Sequence, residues 1–88
     1  MLEAPPVYEV RPDEVENAKL WINAGFARPR KTLNRNISSY GLKHLAEKHA
    51  GKYISNLALV QAMIESGFRA KLVRSTPNYI FNVQLKKV

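Results

Sequence analysis

The sequence predicts a single small α+β domain, residues 12–88, in which three helices are followed by a C-terminal β-hairpin. Apolar residues recur at helical spacing between a capping residue and a glycine in three segments, residues 13–25, 38–51 and 55–67. Residues 69–85 then form two segments of strand character around a turn at Pro77-Asn78. The chain has 88 residues and no cysteine, so its stability must come from an apolar core or from that core plus a partner subunit.

The chain is predicted to open with an extended arm, residues 1–11, because Ala4-Pro5-Pro6 interrupts any helical pattern. The alternative for this arm is a loosely ordered tail. The first helix is predicted to begin at Asp13, with Glu16 completing a capping box, and to end at Gly25. Its apolar face consists of Val15, Ala18, Trp21 and Ile22. We expect this face to pack on the other helices, with the indole ring in the core.

The most basic stretch of the chain follows the first helix. Its cations are Arg28, Arg30, Lys31 and Arg35, and no acidic residue lies between them. Pro29 and the polar residues around it predict a loop in residues 27–35. Like charges without a partner on a short segment are typical of phosphate contacts, or of an arm laid into a groove. The alternative is a solvated linker.

The second helix is predicted to begin at Ser38 or Ser39 and to end at Ala50, before Gly51. Its apolar face carries Leu42, Leu45, Ala46 and His49. Its opposite, solvent-facing side carries Tyr40, Lys43, His44, Glu47 and Lys48. Lys43 would contact phosphate there, or would only keep the surface soluble. The two histidines point in different directions, so no metal site is predicted.

The third helix is predicted to begin at Ser55, after the short connection 51–54. The apolar stripe expected in the core consists of Leu57, Leu59, Val60, Met63 and Ile64. The opposite face carries Ala58, Gln61, Ala62 and Glu65. Two helices joined by a short glycine-containing connection predict a helix-turn-helix. Ser55, Asn56 and Gln61 would then touch a DNA groove and Lys52 a phosphate. Because this face of the third helix carries no arginine or lysine, the sequence does not decide whether the helix recognises specific bases.

The hairpin is predicted from alternation. The core-facing set consists of Tyr79, Phe81, Val83 and Leu85, with Phe68, Ala70 and Leu72 from the partner strand. The other face would carry Arg69 and Lys71 beside Ile80, Asn82 and Gln84. Arg74 would stand at the tip, where Pro77-Asn78 makes the turn and asparagine tolerates a positive φ. These cations would contact DNA, or would block edge-to-edge aggregation.

Charge is distributed unevenly along the chain, whose net charge is +7. Five of the seven acids lie within residues 1–17, whereas all but one of the 14 bases lie within residues 18–88. This asymmetry is typical of a phosphate-binding surface. The sequence offers no glycine-rich phosphate loop, nucleophile motif or paired carboxylates, so we expect no enzyme, cofactor or metal. Without a signal peptide or an apolar run of about 20 residues, a cytoplasmic protein is expected.

The helix 38–51 followed by residues 55–85 resembles the winged helix-turn-helix class of DNA-binding domains. This resemblance implies a recognition helix at residues 55–67 and a DNA-contacting wing at the hairpin. The runs Ser39-Tyr40-Gly41-Leu42-Lys43-His44, Tyr53-Ile54-Ser55-Asn56, Gly67-Phe68 and Pro77-Asn78-Tyr79-Ile80-Phe81-Asn82 are similar to small uncharacterised proteins of phages and prophages. That similarity implies a phage-related setting and no particular activity.

The favoured function is a non-enzymatic module that binds duplex DNA, such as a transcription regulator. Its predicted contacts are Arg28, Arg30, Lys31, Arg35, Lys43, Lys52, Ser55, Asn56, Gln61, Arg69, Lys71 and Arg74. The alternative is a small adaptor or inhibitor that binds an acidic protein through the Ala58/Ala62 face. RNA binding would need exposed aromatic rings, for which Tyr40 and Tyr53 are the candidates. No heptad pattern decides between a monomer and a homodimer.

Overall fold

A computed structural model describes residues 10–86 as three helices and four short antiparallel strands. The helices are α1 (Pro12–Trp21), which continues into a wider π-type turn at Ile22–Phe26, α2 (Ser39–Ala50) and α3 (Asn56–Glu65). The strands are β1 (Ala27–Pro29), β2 (Ala70–Leu72), β3 (Tyr79–Phe81) and β4 (Val83–Leu85). The predicted α+β class and helix count are confirmed. Most of the predicted arm, residues 1–9, lies outside the described residues.

The predicted capping chemistry is confirmed at the start of α3 and at the end of α2. At the start of α2, Ser38 takes the N-cap position as predicted, but its side chain forms no capping hydrogen bond. Ser55 caps α3, because its Oγ accepts a hydrogen bond of 3.1 Å from the Ala58 amide. Gly51 ends α2 with φ 70°. The capping box predicted for α1 is wrong, because the helix begins at Pro12, and Asp13 pairs with Arg11 instead. Proline fits the first helical position, where its missing N–H would have no partner anyway.

The core lies where the three helices meet. Its largest fully buried side chains are Phe81, Leu42, Ile54, Leu59, Met63 and Val83. Trp21 is 3% exposed, which confirms its predicted place. Leu45 and Ile64 were expected in the centre, but they are 40% and 51% exposed.

Two polar contacts tie α3 to α1. The Glu14 carboxylate accepts a hydrogen bond of 2.9 Å from the Ser55 amide, and Lys19 pairs with Glu65 at 2.6 Å. The face of α3 between these contacts includes Ala58, which is 0% exposed, as is Ala62. The prediction that these alanines face solvent is therefore wrong. Small side chains allow two helices to approach closely, and these buried alanines let α3 pack closely against its neighbours in the core.

The predicted hairpin is present. β2 pairs with β3 in antiparallel register, with Ala70 opposite Phe81 and Leu72 opposite Tyr79. The left-handed residue of its turn is Ser75 (φ 65°), so the expectation of a positive φ at Asn78 is wrong. β2 is exposed along its whole length, which overturns the expectation that Ala70 and Leu72 face the core.

The last strand changes its partner at Asn82. Beyond this residue β4 pairs with β1, with Arg28 opposite Gln84 and Pro29 opposite Val83. Residues 27–29, predicted as part of a loop, are therefore a strand. The bend at Asn82 breaks the alternation, and Ile80 and Asn82, both expected on the exposed face, are each 7% exposed.

Candidate nucleic-acid interface

The basic loop after β1 is bound along the last strand. The Arg30 amide donates to the Asn82 carbonyl at 2.9 Å, and the Asn34 amide donates to the Phe81 carbonyl at 2.8 Å. The Asn34 side chain also donates to the Val83 carbonyl at 3.1 Å. These bonds satisfy backbone groups that a free loop would expose to water. The loop therefore has a defined path along the last strand.

The side chain of Asn82 joins this loop to the hairpin. Its Oδ1 accepts a hydrogen bond of 2.7 Å from the Arg69 amide, and its Nδ2 donates to the Arg30 carbonyl at 2.9 Å. A third link comes from the Arg69 guanidinium, which donates to the Lys31 carbonyl. Two basic segments that are far apart in the sequence are thus brought into contact.

We call the resulting surface the basic edge; it comprises Arg28, Arg30, Lys31, Arg35, Arg69, Lys71 and Arg74. Residues 27–38 and 66–86, which form this end of the molecule, contain no aspartate or glutamate. Within residues 10–86, no member of the basic edge forms an ion pair. Apart from Arg30, which is half-buried, its members are exposed. A polyanion is the ligand that such a surface attracts.

Arg30 and Arg69 also have a structural role within the basic edge. The Arg30 guanidinium donates to the Thr32 and Leu33 carbonyls at 3.0 and 3.2 Å. Arg69 donates to the Lys31 carbonyl in the same loop. Both side chains hold the loop in place. Within residues 10–86, the other two cations of the loop, Lys31 and Arg35, do not have this structural role.

Lys43 does not belong to the basic edge. It was predicted on the solvent-facing side of α2, but it is 6% exposed and pairs with Glu47 at 2.8 Å. Glu47 also accepts from the Ile54 amide at 3.0 Å and contacts the His44 ring at 3.1 Å. Burial raises the pKa of Glu47, but these hydrogen bonds and the Lys43 charge outweigh it and lower the pKa overall. Lys52 lies nearby and is exposed.

The polar residues predicted on α3 already have partners inside the protein. Ser55 caps the helix, and the Asn56 side chain donates to the Pro77 carbonyl at 3.1 Å. Gln61 donates to Glu65 at 2.9 Å. The Asn56 oxygen is buried without a partner among the described residues, and the Gln61 amide nitrogen is engaged by Glu65, so neither side chain presents both of its amide atoms unengaged to a base edge. The contacts with Pro77 and Glu65 instead fasten the hairpin turn and the end of α3.

An apolar groove with a basic rim lies between the end of α1, α2 and β4. It encloses about 440 Å³ and is lined by Trp21, Phe26, Leu45, Lys48, His49, Leu85 and Lys86. The His49 ring, predicted at the edge of the core, is exposed and lies 5.1 Å from the Phe26 ring. The lining contains no carboxylate.

Two residues that organise this end of the molecule were not predicted from the sequence. Asn34 and Asn82 carry the contacts between the loop and the strands, whereas the sequence placed Asn82 on an exposed strand face. The residue type at position 82 could have indicated this role. Asparagine is depleted in strands, and an asparagine within an alternating apolar strand pattern indicates a bulge.

The described part of the chain contains neither a membrane-spanning helix nor a metal-binding group of side chains. Within residues 10–86, no helix has the length and apolar character needed to cross a bilayer. Over the same residues, His, Asp and Glu side chains form no group of three that could hold a metal ion.

Comparisons with known protein families, with curated proteins and with solved structures find no match for this chain. The resemblances to winged helix-turn-helix domains and to phage proteins therefore stay predictions.

Proposed function

We propose that this protein is a non-enzymatic nucleic-acid-binding module that holds the phosphate backbone of duplex DNA against its basic edge. The observation that carries this proposal is the junction at Asn82. Its side chain joins Arg30 of the basic loop to Arg69 of the hairpin, and residues 27–38 and 66–86 contain no aspartate or glutamate. Separate basic segments that converge on one surface favour a ligand with regularly spaced negative charges.

We further propose that the fold has a winged-helix-like arrangement. β1 follows α1 and pairs with β4, while β2 pairs with β3 of the same bent strand. The described strands form two two-stranded sheets, β1-β4 and β2-β3, and we propose that they lie side by side in the order β1, then the bent strand, then β2. In such an arrangement the turn at residues 74–77 is the wing, which places Arg74 where a wing contacts DNA.

Backbone contacts fit this surface better than base readout by α3. The exposed side chains of α3 are Ile64 and Glu65, with Gln61 partly exposed beside them. An aliphatic side chain and a carboxylate do not suit the major groove. Lys43 is also removed from the set of proposed contacts, because it is buried in its ion pair with Glu47.

The test is fluorescence anisotropy of a labelled random-sequence duplex at several salt concentrations. The variant is Lys31→Gln/Arg35→Gln, and the matched control is Arg11→Gln/Lys19→Gln, which removes the same charge from cations paired with acids on the helices. The variant is expected to bind more weakly. Its plot of log affinity against log salt concentration should become shallower by about 2, because each lost phosphate contact means about one fewer counterion released on binding.

The control is expected to keep the wild-type slope, since its cations lie away from the basic edge. Equal losses in the variant and the control would contradict the proposal, because net charge alone would then explain the binding. Wild-type protein that does not bind the duplex at low salt would also contradict it.

A second candidate function is binding to an acidic protein, and the apolar groove favours it. The Ala58/Ala62 face expected for this role is buried, but the groove combines Leu45 with the cations Lys48 and Lys86. An acidic peptide with one large apolar anchor would fit this chemistry. Calorimetry with such a peptide should show binding that Leu45→Glu abolishes and that Lys31→Gln/Arg35→Gln leaves intact.

A further inference from the structure

Two exposed tyrosines lie near one buried ammonium group. Tyr40 is 53% exposed and Tyr53 is 66% exposed. The Lys43 Nζ lies 4.5 Å from the centre of the Tyr53 ring and 5.7 Å from that of Tyr40. We call Tyr40 and Tyr53 the tyrosine platform.

The rings of the platform are held by a network beneath them. Glu47 fixes the Lys43 ammonium group at 2.8 Å, and the Ile54 amide, next to Tyr53 in the chain, donates to the same carboxylate. The His44 ring meets the Tyr40 ring edge to face, with centroids 4.5 Å apart. Exposed rings that are already ordered lose little conformational entropy when a ligand stacks on them.

The surroundings of the platform are cationic. An open depression beside Tyr53 is lined by His44, Lys48 and Lys52, together with Glu47, whose charge is met by Lys43. Lys48 and Lys52 are exposed and form no ion pair with any acid in residues 10–86. Aromatic faces next to free cations suit bases and phosphates together.

The platform begins beside the basic edge. Ser39, which precedes Tyr40, accepts a hydrogen bond of 3.0 Å from the Tyr79 amide on β3. Arg35 of the basic edge lies in the short segment between Asn34, which is bonded to Phe81, and Ser39. Tyr40 is thus the platform residue nearest to Arg35 along the chain.

We propose that the tyrosine platform stacks the unpaired bases of a single-stranded segment, whose phosphates contact Lys48 and Lys52. This inference rests on the proposed function and extends it from duplex backbone to single-stranded nucleic acid. Stacking needs only the flat face that every base has, so the site tolerates any sequence. Each ring accounts for about one base, which defines a short site.

The test uses two probes, a blunt random-sequence duplex and a single-stranded oligothymidine with one 2-aminopurine, whose fluorescence is quenched on stacking. Tyr53→Leu removes the ring and keeps an apolar side chain, whereas Tyr53→Phe keeps the ring and is the matched control. Tyr53→Leu is expected to bind the single strand roughly tenfold more weakly and to lose the quenching. Its salt slope and its duplex affinity should stay at wild-type values.

The outcomes separate the two proposals. Wild-type protein that binds the duplex but neither binds nor quenches the single strand overturns the platform and leaves the duplex function standing. Single-strand binding that Tyr53→Leu leaves unchanged overturns it as well. If Tyr53→Phe loses as much as Tyr53→Leu, the phenolic hydroxyl and not stacking holds the ligand, and the inference is wrong. Absence of binding to both probes overturns both proposals.

Discussion

Asn82 lies where the last strand leaves one partner strand for another. A residue at such a point leaves backbone groups on both sides without their regular ladder bonds. Its amide side chain supplies a donor and an acceptor at once, which is what the Arg30 carbonyl and the Arg69 amide require. No other standard side chain of similar size offers both in this geometry except aspartic acid in its protonated form.

We predict that Asn82→Ala destabilises the protein by about 2–4 kcal/mol, because two backbone groups lose their partners in a site that is 7% exposed. Urea unfolding measures this loss. Gln84→Ala, an exposed position on the same strand, is the control and should change stability by less than about 0.5 kcal/mol. A loss in Asn82→Ala no larger than that of the control would show that the junction does not hold the loop.

Local chemistry at single residues was predictable where the partner is close in the sequence. The Ser55 cap and the glycine that ends α2 involve atoms within one helical turn, so the residue type is sufficient. Lys43 was misplaced because a lysine on the polar side of a helix is normally solvated. Its burial depends on Tyr53 and Glu47 closing over it, which periodicity does not encode.

Glu47 holds together the connection between α2 and α3. It accepts from Lys43 within its own helix and from the Ile54 amide beyond the helix end. The short connection at residues 51–55 is thus fixed by one carboxylate. The ionised form of that carboxylate is favoured by both contacts, which is why its pKa is lowered although burial alone would raise it.

We predict that Glu47→Gln costs about 1–3 kcal/mol of stability at pH 7, where it leaves the Lys43 ammonium group unpaired. A carboxyl whose pKa is lowered by folding contributes stability above its ordinary pKa of about 4.3, and this contribution is lost as pH falls through the folded value. The difference between wild type and variant should therefore shrink towards pH 3. Urea unfolding at both pH values measures it.

The control for this prediction is Glu16→Gln, which removes an exposed carboxylate on α1. It should change stability by less than about 0.5 kcal/mol at either pH. A Glu47→Gln effect of equal size at pH 7 and pH 3 would contradict the assigned role of the ionised carboxylate.

At the scale of elements, the helices were more predictable than the sheet. Helical periodicity and capping depend on residues that are close in the sequence, and they predicted the bounds of α2 and α3 well. β1 has only three residues, and its partner β4 lies more than 50 residues further along the chain. Nothing within residues 27–35 shows that pairing, so proline and charge indicated a loop. The alanines of α3 were ambiguous, because small residues suit close approach to any partner.

At the scale of the whole described molecule, the acids are confined to the helices, whereas cations lie both on the helices and on the strands and loops. Within residues 10–86, every acid lies in one of the three helices, and the basic edge lies beyond them. Such a distribution orients the protein in the field of a polyanion, with the sheet end leading. The sequence showed the excess of positive charge, but only the fold shows that Arg30 and Lys31 of the basic loop contact Asn82 and Arg69 of the hairpin.

The most direct measurement of the basic edge is amide chemical-shift mapping during titration of the ¹⁵N-labelled protein with a random-sequence duplex. We predict that the largest changes fall together in residues 28–36 and 69–75, while α1 changes little. Changes centred on Gln61 and Ile64 of α3, or on the groove around Leu45 and Leu85, would contradict the proposal that the basic edge binds the nucleic acid.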